Sequence, residues 1–386
     1  MNISALSCLL GKHFFVSFAS IKYLAEIVFA LIQTRDVNLT GIATCLNGNA
    51  SNKSRYRSLQ RFVADLNLCY MRLAKLLLDI MGAGDSKKWL IAIDRTNWKF
   101  GSLDINIFML SVCWKTVAIP LIWIMLDKAG TSNTAERKDL ISLFIEWFGS
   151  HRIEGLIGDR EFIGDKWMQY LDDMGIPFYL RIKAGMQIAN SKGAFRTSNH
   201  LVHGLKAGSY TTLKGTRRLG QKRKGPELYI SAFRRLDGEL VIIATNDNVA
   251  AAADIYKRRW EIETLFACLK TRVFNLENTH LIHLERIRTL VALVAIAFVI
   301  GYKIGLWLND KIPIKLKKHG YKAQSFFRYG LDYIRAILLR RGGENGGGNE
   351  SRGGGGNSVK LLEVLGILNE PPQSIFNADR ERLMTC

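Results

Sequence analysis

The amino-acid sequence predicts an α/β protein, in which a mixed five-stranded sheet with flanking helices is interrupted by a β-rich insertion and follows a helical N-terminal domain. Apolar residues recur every three or four positions in the first 80 residues, which is the period of one helix face. From residue 88 onward, short apolar runs alternate with polar turns, and residues 186–250 contain many Gly, Ser and Thr residues. At 386 residues, the chain can form two or three domains with a substantial core.

The chain is strongly basic, because 54 Lys and Arg residues against 34 Asp and Glu residues leave a formal net charge of +20. Hydrophobic residues make up 48% of the composition and charged residues 23%, which excludes a disordered tail protein. A positive surface attracts polyanions, so nucleic acid is the first partner to consider. The six cysteines have neither paired nor zinc-binding spacing, so no zinc site or disulfide framework is predicted, and a reducing cytosol fits.

Residues 1–85 are predicted to form an N-terminal helical DNA-binding domain. Residues 39–46 and 54–65, joined by a polar turn, have the layout of a helix-turn-helix. The second helix presents Arg55, Arg57 and Arg61. These three arginines indicate a DNA-binding surface, but the sequence fits a solvated arginine face on a small helical bundle equally well.

Residues 86–185 are predicted to form the first part of the core. The apolar run 89–93 ends at Asp94, and the runs 105–114 and 117–126 continue it as an antiparallel meander. A helix over 134–148, a strand over 153–158 that ends at Asp159, a helix over 165–174 and a strand over 178–182 complete the five-stranded sheet.

Residues 186–249 are predicted to form the β-rich insertion, with strands over 228–234 and 239–245 joined at Asp237-Gly238, a favoured hairpin turn. The insertion also carries a basic cluster without an acidic residue. We expect this cluster to contact DNA phosphates rather than to be only a solvated loop, since the total charge calls for a polyanionic partner. Its members are Lys214, Arg217, Arg218, Lys222, Arg223 and Lys224.

Helical periodicity returns in residues 250–310, the predicted second part of the core, and a helical region follows over 311–341. Nine of the fifteen residues from 342 to 356 are glycine, which predicts a flexible linker over 342–358 before a tail over 359–386. The apolar run 290–302 is shorter than the ~20 residues that span a bilayer. We therefore expect a buried helix there and no membrane association, with a membrane-associated helix near 289–308 as the alternative.

Two aspartates and the polar residues on one helix face are the candidates for a catalytic site. An Asp that follows an apolar strand, as Asp94 and Asp159 do, is in most single cases a turn or cap residue. Tyr256, Arg259, Glu263 and Lys270 lie at offsets of three, seven and fourteen residues, which places them within about 60° on one face of a helix. An ion-pair ladder would explain the charges on this face, but neither the tyrosine nor the two aspartates.

These residues resemble a known family, the DDE transposases of the insertion-sequence-four family. The family signature Tyr-x2-Arg-x3-Glu-x6-Lys is matched by Tyr256, Arg259, Glu263 and Lys270, and the two aspartates occur in Ile-Asp94-Arg-Thr and Gly-Asp159-Arg-Glu-Phe. The resemblance implies a ribonuclease-H-like core in which Asp94, Asp159 and Glu263 are the catalytic triad. It also implies that Arg259 and Lys270 hold phosphates of the DNA end and that Tyr256 contacts the backbone there.

Three carboxylates in such a site are explained by divalent metal. Mg²⁺ takes hard oxygen ligands, so two ions can share Asp94, with Asp159 and Glu263 each completing one coordination shell, and Mn²⁺ can substitute. The resemblance implies a transposase that binds the terminal inverted repeats of an insertion sequence, cleaves double-stranded DNA there and joins the ends to target DNA. It further implies a homodimer in the DNA complex and a cytoplasmic, nucleoid-associated location in a bacterium.

Two other functions remain open from the sequence: a non-catalytic DNA-binding protein with structural carboxylates, and a structure-specific nuclease on the same core. One departure from the family concerns base stacking. Well-studied relatives stack a flipped base on a tryptophan of the insertion, but no tryptophan lies between Trp167 and Trp260. Tyr229 or Phe233 can offer an aromatic face, although strand packing explains both, so a DNA hairpin intermediate is left open.

Overall fold

The computed structural model of the chain describes residues 4–220, 225–318 and 320–343, together with residues 366 and 368. Its contacts divide the chain into two compact units. The first contains the described residues of Met1–Asp85, Leu269–Leu281 and Thr289–Cys386, and the second contains those of Ser86–Cys268 and Ile282–Arg288. The sequence assigned all of 250–310 to the core, whereas the contacts group 269–281 and the residues after 288 with the N-terminal helices. The linker 342–358, apart from its first two residues, and nearly all of the tail 359–386 lie outside the described residues.

Five helices begin the first unit. They are α1 (Ser4–His13), α2 (Phe18–Thr34), α3 (Leu39–Cys45), α4 (Asn52–Asp65) and α5 (Tyr70–Met81). Side chains that accept hydrogen bonds from backbone N–H groups of the first turn start three of them, namely Ser17 for α2, Asn38 for α3 and Ser51 for α4. Helix α5 ends at Gly82, which adopts the left-handed conformation that glycine favours.

The second unit contains the predicted mixed sheet. Its first five strands are β1 (Trp89–Phe100), β2 (Leu103–Trp114), β3 (Val117–Met125), β4 (Ile153–Gly158) and β5 (Phe178–Ile182), in the order β3-β2-β1-β4-β5. Strands β1, β2 and β3 pair antiparallel, whereas β4 runs parallel to both β1 and β5. Parallel neighbours require crossover connections, and helices α6 (Thr134–Phe148) and α7 (Asp165–Asp173) supply them.

Strand β1 is longer than the apolar run that predicts it. It continues past Asp94 to Phe100, because β2 pairs with it as far as the Phe100–Leu103 register. The parallel partner β4 ends earlier, at the Ile93–Gly158 register. Asp94 therefore lies inside a strand, at the position where one of its two neighbours ends, and the expectation that it follows the strand is wrong.

The insertion joins the sheet, which has nine strands within the described residues, so the prediction of a five-stranded sheet is wrong. Its elements are β6 (Gln187–Ala189), β7 (Phe195–Thr197), α8 (Ser198–Leu201), β8 (Tyr210–Thr212), β9 (Arg217–Arg218), β10 (Glu227–Arg234) and β11 (Leu240–Thr245). The hairpin of β10 and β11 forms as predicted. Strand β11 pairs antiparallel with β5, since an open sheet edge offers unpaired backbone groups to an apolar strand.

The predicted helix over 250–270 is interrupted. Helix α9 (Ala252–Lys257) is followed by α10 (Trp260–Ala267) and by a π-helical turn at Cys268–Arg272. Between α9 and α10, backbone bonds from Arg258 to Ile255 and from Arg259 to Tyr256 span three residues rather than four. A uniform rotation of 100° per residue therefore does not extend from Tyr256 to Lys270.

Two long helices complete the first unit's C-terminal part. Helix α11 (Leu284–Lys311) is long and apolar enough to cross a membrane, but 94% of its most apolar window is buried inside the protein, as expected for a core helix. Helix α12 (Phe326–Gly343) packs closely on it. A Cβ at Gly305 would overlap the carbonyl of Phe326, and one at Gly330 would overlap that of Gly301, so glycine permits this backbone approach.

Candidate active site

Asp94 on β1 lies beside Asp159, which directly follows the neighbouring parallel strand β4. Each follows a member of the Ile93–Gly158 pair, which is the last register position that β1 and β4 share. The packing around Gly158 is tight, because a Cβ there would lie 2.9 Å from Leu180 Cδ2 and 3.1 Å from Phe162 Cδ2. The sheet thus brings two carboxylates together where β4 ends, one from inside β1 and one directly after β4.

The Asp94 carboxylate is largely buried. Its side chain is 17% exposed, and its Oδ1 accepts a hydrogen bond of 2.8 Å from the Arg95 backbone N–H. Burial raises the pKa of Asp94 to about 7, and the charges of Glu161 and Asp159 add to this rise, while the Arg95 N–H and Arg259 oppose it. A carboxylate in this environment gains strongly from any added positive charge.

Tyr256 connects helix α9 to Asp159. Its hydroxyl donates a hydrogen bond of 3.3 Å to Asp159 Oδ1, and the side chain is buried. Burial raises the pKa of Tyr256, the Arg259 charge opposes the rise, and the Asp159 charge adds to it. The tyrosine therefore stays protonated and fixes the orientation of Asp159.

Arg259 joins the aspartates to Glu263. Its Nη2 lies 2.6 Å from Glu263 Oε1 and its Nη1 lies 4.0 Å from Asp94 Oδ2, while its own side chain is only 9% exposed. Burial lowers the pKa of Arg259, but Tyr256 and the surrounding carboxylates outweigh this effect, so the net pKa is raised. We call Asp94, Asp159, Glu263 and Arg259 the carboxylate site.

Glu261 anchors the helix that carries Glu263, and the sequence analysis missed it. Its carboxylate is buried and accepts a hydrogen bond of 2.8 Å from Arg258 Nε and another from the backbone N–H of Trp114, at the end of β2. Burial raises the pKa of Glu261, and Arg258 opposes the rise. Residues two apart face different sides of a helix, so Glu261 can fix α10 to the sheet while Glu263 faces the carboxylate site.

Glu161 is a second acidic residue that sequence reasoning missed. Its Oε2 lies 3.3 Å from Arg95 Nη2, and its backbone carbonyl accepts a hydrogen bond of 2.9 Å from Arg137. Arg95 also reaches Asn106 Oδ1 on β2, at 3.2 Å. These contacts hold the turn after Asp159 against β1. The Asp-Arg-Glu-Phe sequence places Glu161 two residues after Asp159, so the closeness of this acidic residue to the site was visible in the sequence.

The donor set of the carboxylate site fits a divalent metal ion by its chemistry, because its three acidic side chains supply hard oxygen ligands. Within the part of the chain that the structure describes, no three acidic, histidine or cysteine side chains converge closely enough to hold an ion. The Arg259 guanidinium instead lies in contact with Glu263 and near Asp94. The site is thus a set of three carboxylates whose negative charge is offset only in part by one arginine.

Trp260 is an exposed aromatic residue next to Arg259. Its side chain is 52% exposed, and the guanidinium carbons of Arg235 and Arg259 lie 5.3 and 5.9 Å from its ring centroid. The two aromatic residues expected for stacking are less exposed. Tyr229 is 36% exposed. Phe233 is half-buried, and Lys257 Nζ lies 5.8 Å from its ring centroid. Trp260 was not among the predicted stacking residues because these were sought in the insertion, and Trp260 lies after it in the chain.

The three arginines of α4 differ in their contacts. Arg55 donates hydrogen bonds to the carbonyl of Leu46, which ends α3, and to the side chain of Asn52. Arg57 and Arg61 are exposed. The structure therefore uses Arg55 to hold the turn between α3 and α4 and leaves the other two arginines open to a ligand.

The basic residues of the insertion are only partly described. Arg217 and Arg218 form β9, where Arg217 donates a hydrogen bond of 2.7 Å to the carbonyl of Thr216 and Arg218 lies 5.4 Å from the Phe195 ring centroid. Lys214 is exposed. Lys222, Arg223 and Lys224 lie outside the described residues.

Lys270 belongs to the first unit, whereas Tyr256, Arg259 and Glu263 belong to the second. It lies in the π-helical turn, and its Nζ is 2.6 Å from Glu277 Oε1. The predicted four-residue face is therefore divided after Glu263, because the π turn changes the direction in which later side chains point.

Comparison with known proteins gives one family. The family described as "Transposase DDE domain" matches residues 85–300, more than half of the 386-residue chain. Among solved structures, the chain is similar to the piggyBac transposase synaptic complex with hairpin DNA, seen by cryo-electron microscopy. That match covers 98% of this chain and 84% of the other at 10% identity, with a TM-score of 0.39. No curated protein matches.

Proposed function

Because the chain belongs to the family of DDE-domain transposases, we propose that it is an insertion-sequence transposase of the insertion-sequence-four type that cuts and pastes DNA. It binds the terminal inverted repeats of its element, cleaves at those ends and joins the freed 3′ hydroxyls to target DNA. The observation that carries this proposal is the carboxylate site, where Asp94 and Asp159 on adjacent strands share Arg259 with Glu263.

The proposed catalytic residues are Asp94, Asp159 and Glu263, which would hold two divalent ions, Mg²⁺ or Mn²⁺. When bound, the ions supply an activated water or 3′ hydroxyl and stabilise charge on the leaving oxygen. Tyr256 orients Asp159 by its hydrogen bond, and Glu261 fixes the helix that presents Glu263. With metal ions on the carboxylates, Arg259 would exchange its carboxylate partners for phosphate oxygens, to which a guanidinium binds well.

The proposed core is ribonuclease-H-like. Three antiparallel strands in the order β3-β2-β1, followed by β4 and β5 reached through helices, support this proposal. The insertion between Asp159 and Glu263 extends the same sheet from β5. Arg217 and Arg218, on a strand that pairs with β10, would thus be held on a continuous β framework, which suits a surface that positions DNA.

The proposed DNA contacts use basic residues of α4, of the insertion and of the π-helical turn. Arg57 and Arg61 of α4, Arg217 and Arg218 of β9, and the predicted contacts Lys222, Arg223, Lys224 and Lys270 would bind phosphates. Trp260, flanked by two guanidinium groups, offers a face on which an unpaired base can stack. We further propose a homodimer on paired DNA ends in the cytoplasm of a bacterium, associated with the nucleoid.

The test uses purified protein and duplexes that carry the ends of the element, with Mg²⁺ or Mn²⁺. Asp94→Asn, Asp159→Asn and Glu263→Gln should each lower the rates of cleavage and joining by roughly 10³-fold or more, since metal ligation supplies several kcal/mol of transition-state stabilisation. Binding of the ends should persist. Asp254→Asn, on the exposed side of α9, is the control and should retain activity.

Three results would overturn the proposal. Variants of all three carboxylates that cleave like the parent protein would exclude the site. Cleavage without joining would identify a structure-specific nuclease. Binding without metal-dependent cleavage would identify a DNA-binding protein whose carboxylates are structural.

A further inference from the structure

Between α11 and α12 the chain forms a short basic hairpin, residues 314–323, which lies outside the matched domain. Leu316 and Lys322 form an antiparallel bridge. The Lys317 N–H donates to the Tyr321 carbonyl and the Ala323 N–H donates to the Lys315 carbonyl, both at 2.8 Å. The hairpin thus has a defined register, although residue 319 at its tip is not described.

The hairpin is attached firmly at its base. Ile314 is buried, and its backbone N–H donates a hydrogen bond of 3.1 Å to the Asn309 side chain at the end of α11. The Tyr329 hydroxyl on α12 donates one of 3.1 Å to the carbonyl of Ile312. Side chains on the hairpin are therefore presented by an ordered support rather than by a loose loop.

The register sorts the side chains onto two faces. Directly paired residues, and residues two apart on a strand, share a face. One face therefore carries Lys315, Lys317 and Tyr321, and the other carries Leu316 and Lys322. Lys315, Lys317 and Tyr321 are all exposed. The first face is consequently a compact cationic surface with an aromatic ring.

The charge of this region is not balanced locally. Residues 311–331 contain five lysines and one arginine but no acidic residue. Within the described residues, Arg328 pairs with Asp332 and Lys322 lies over the Phe326 ring, but Lys315 and Lys317 form no ion pair. Two neighbouring lysines that repel each other on a fixed support favour a polyanionic ligand.

We propose that the Lys315, Lys317 and Tyr321 face binds the sugar-phosphate backbone of duplex DNA. Lysines two residues apart on a strand are separated by about 6.8 Å, which is twice the axial rise of ~3.4 Å per nucleotide in one DNA strand. The two ammonium groups can therefore neutralise two phosphates of the same strand. The contact carries no base readout, so it adds affinity and salt dependence but not sequence preference.

An anionic membrane is the other polyanion that lysines attract, but the hairpin is poorly suited to it. Insertion needs a broad apolar face, whereas the second face exposes one leucine beside Lys322. This inference rests on DNA being the substrate in the proposed function. The binding experiment needs no cleavage, so its failure is distinguishable from a failure of the transposase proposal.

The experiment measures binding of the full-length protein to a labelled 30-base-pair duplex of arbitrary sequence, by fluorescence anisotropy between about 50 and 200 mM salt without metal. Lys315→Ala/Lys317→Ala should weaken binding about tenfold at 0.1 M salt and lower the slope of log affinity against log salt by about 1.8, for two lost phosphate contacts. Lys315→Arg/Lys317→Arg should retain both. Lys87→Ala/Lys88→Ala, which removes two exposed lysines before β1, is the matched control for net charge.

An alanine variant with the parent's affinity and slope, or with a loss no larger than that of the control, would overturn the proposal. A loss of binding to phosphatidylserine vesicles without a loss of duplex binding would also overturn it, in favour of a membrane. Melting temperatures equal to the parent's establish folding. If the alanine variant does not fold, Lys315→Gln/Lys317→Gln keeps most of the side-chain stem and provides the same test.

Discussion

At the carboxylate site, Asp94 and Arg259 are 17% and 9% exposed and touch fixed partners, whereas Arg61 of α4 and Lys317 of the basic hairpin lie in water. The first region, the carboxylate site, places its charges on strands and on a helix that packs against the sheet. The exposed charges lie on one face of α4 and on the basic hairpin. Burial makes each charge of the first region dependent on its neighbours, because an unpaired buried charge is costly. An exposed charge is largely independent, and salt screens it.

This difference separates two kinds of experimental response. Changes at the buried charges should alter the free energy of unfolding and its pH dependence. Changes at the exposed charges should leave folding almost intact and alter DNA affinity and its salt dependence.

The largest effect is expected for Asp94. Its pKa of about 7 in the folded protein exceeds the ordinary value of 3.8, so the folded state binds more protons than the unfolded state between these values. The free energy of unfolding of the metal-free protein should therefore fall as pH rises from about 4 to about 7, by on the order of 4 kcal/mol from this group. Glu261, whose pKa is also raised, contributes in the same direction.

Urea unfolding at pH 5 and pH 8, with a chelator present, measures this fall. Asp94→Asn should remove most of the fall that Asp94 causes, whereas Asp254→Asn, at an exposed carboxylate, should preserve it. Added Mg²⁺ should stabilise the parent protein more at pH 8 than at pH 5, because metal binding requires the ionised carboxylate. An equal pH dependence in Asp94→Asn and the parent would contradict the buried state of this group.

A smaller effect is expected for two ion pairs that share sequence spacing but differ in burial. Arg258 and Glu261 form a pair at i,i+3 in which the glutamate is 10% exposed, and Lys257 and Asp254 form one on the open surface. Arg258→Ala should cost about 2 kcal/mol, since it leaves Glu261 buried without its cation. Lys257→Ala should cost less than about 0.5 kcal/mol.

Chemical denaturation of the two variants provides the comparison. The double variant Arg258→Met/Glu261→Leu should recover much of the stability, because it removes the buried acid together with its partner. Equal losses in Arg258→Ala and Lys257→Ala would show that Glu261 is solvated and does not anchor α10.

The sequence predicts well those features that depend on local pattern rather than on distant partners. Hydrophobic period identified the N-terminal helices, all five strands of the central order and the hairpin of β10 and β11, and the mixed α/β sheet is confirmed. Local patterns also place Asp94 and Asp159, since an apolar run that ends at an aspartate is visible in one sequence. Their side-by-side position depends on the parallel pairing of β1 with β4, which the sequence analysis did not predict.

Features that depend on distant partners were missed. The length of β1 is determined by its pairing with β2. Within the described residues the sheet extends to nine strands because β11 pairs with the edge strand β5. The π-helical turn that contains Lys270 cannot be recognised from the spacing of apolar residues. The sequence analysis assigned Arg55 to the DNA-binding surface and did not single out Glu261, because a charged residue that contacts a strand end or a turn is indistinguishable by composition from a solvated one.

The smallest effect on stability is expected within α4, where one helix carries both kinds of arginine. Arg55→Ala should lower the free energy of unfolding by about 1 kcal/mol, since it removes hydrogen bonds to the end of α3 and to Asn52. Arg57→Ala/Arg61→Ala should change it by less than about 0.5 kcal/mol. It should instead lower the slope of log affinity for duplex DNA against log salt by up to about 1.8.

Thermal unfolding and salt-dependent anisotropy on the same three proteins separate the two roles. If Arg55→Ala loses DNA affinity without losing stability, all three arginines face DNA and the turn does not depend on Arg55. If Arg57→Ala/Arg61→Ala keeps the parent's salt slope, α4 is a solvated helix, and duplex binding must come from the insertion and the basic hairpin. The helix-turn-helix layout would then be a packing feature of the first unit, because the arginine that holds its turn would be the only one of the three with a demonstrated role.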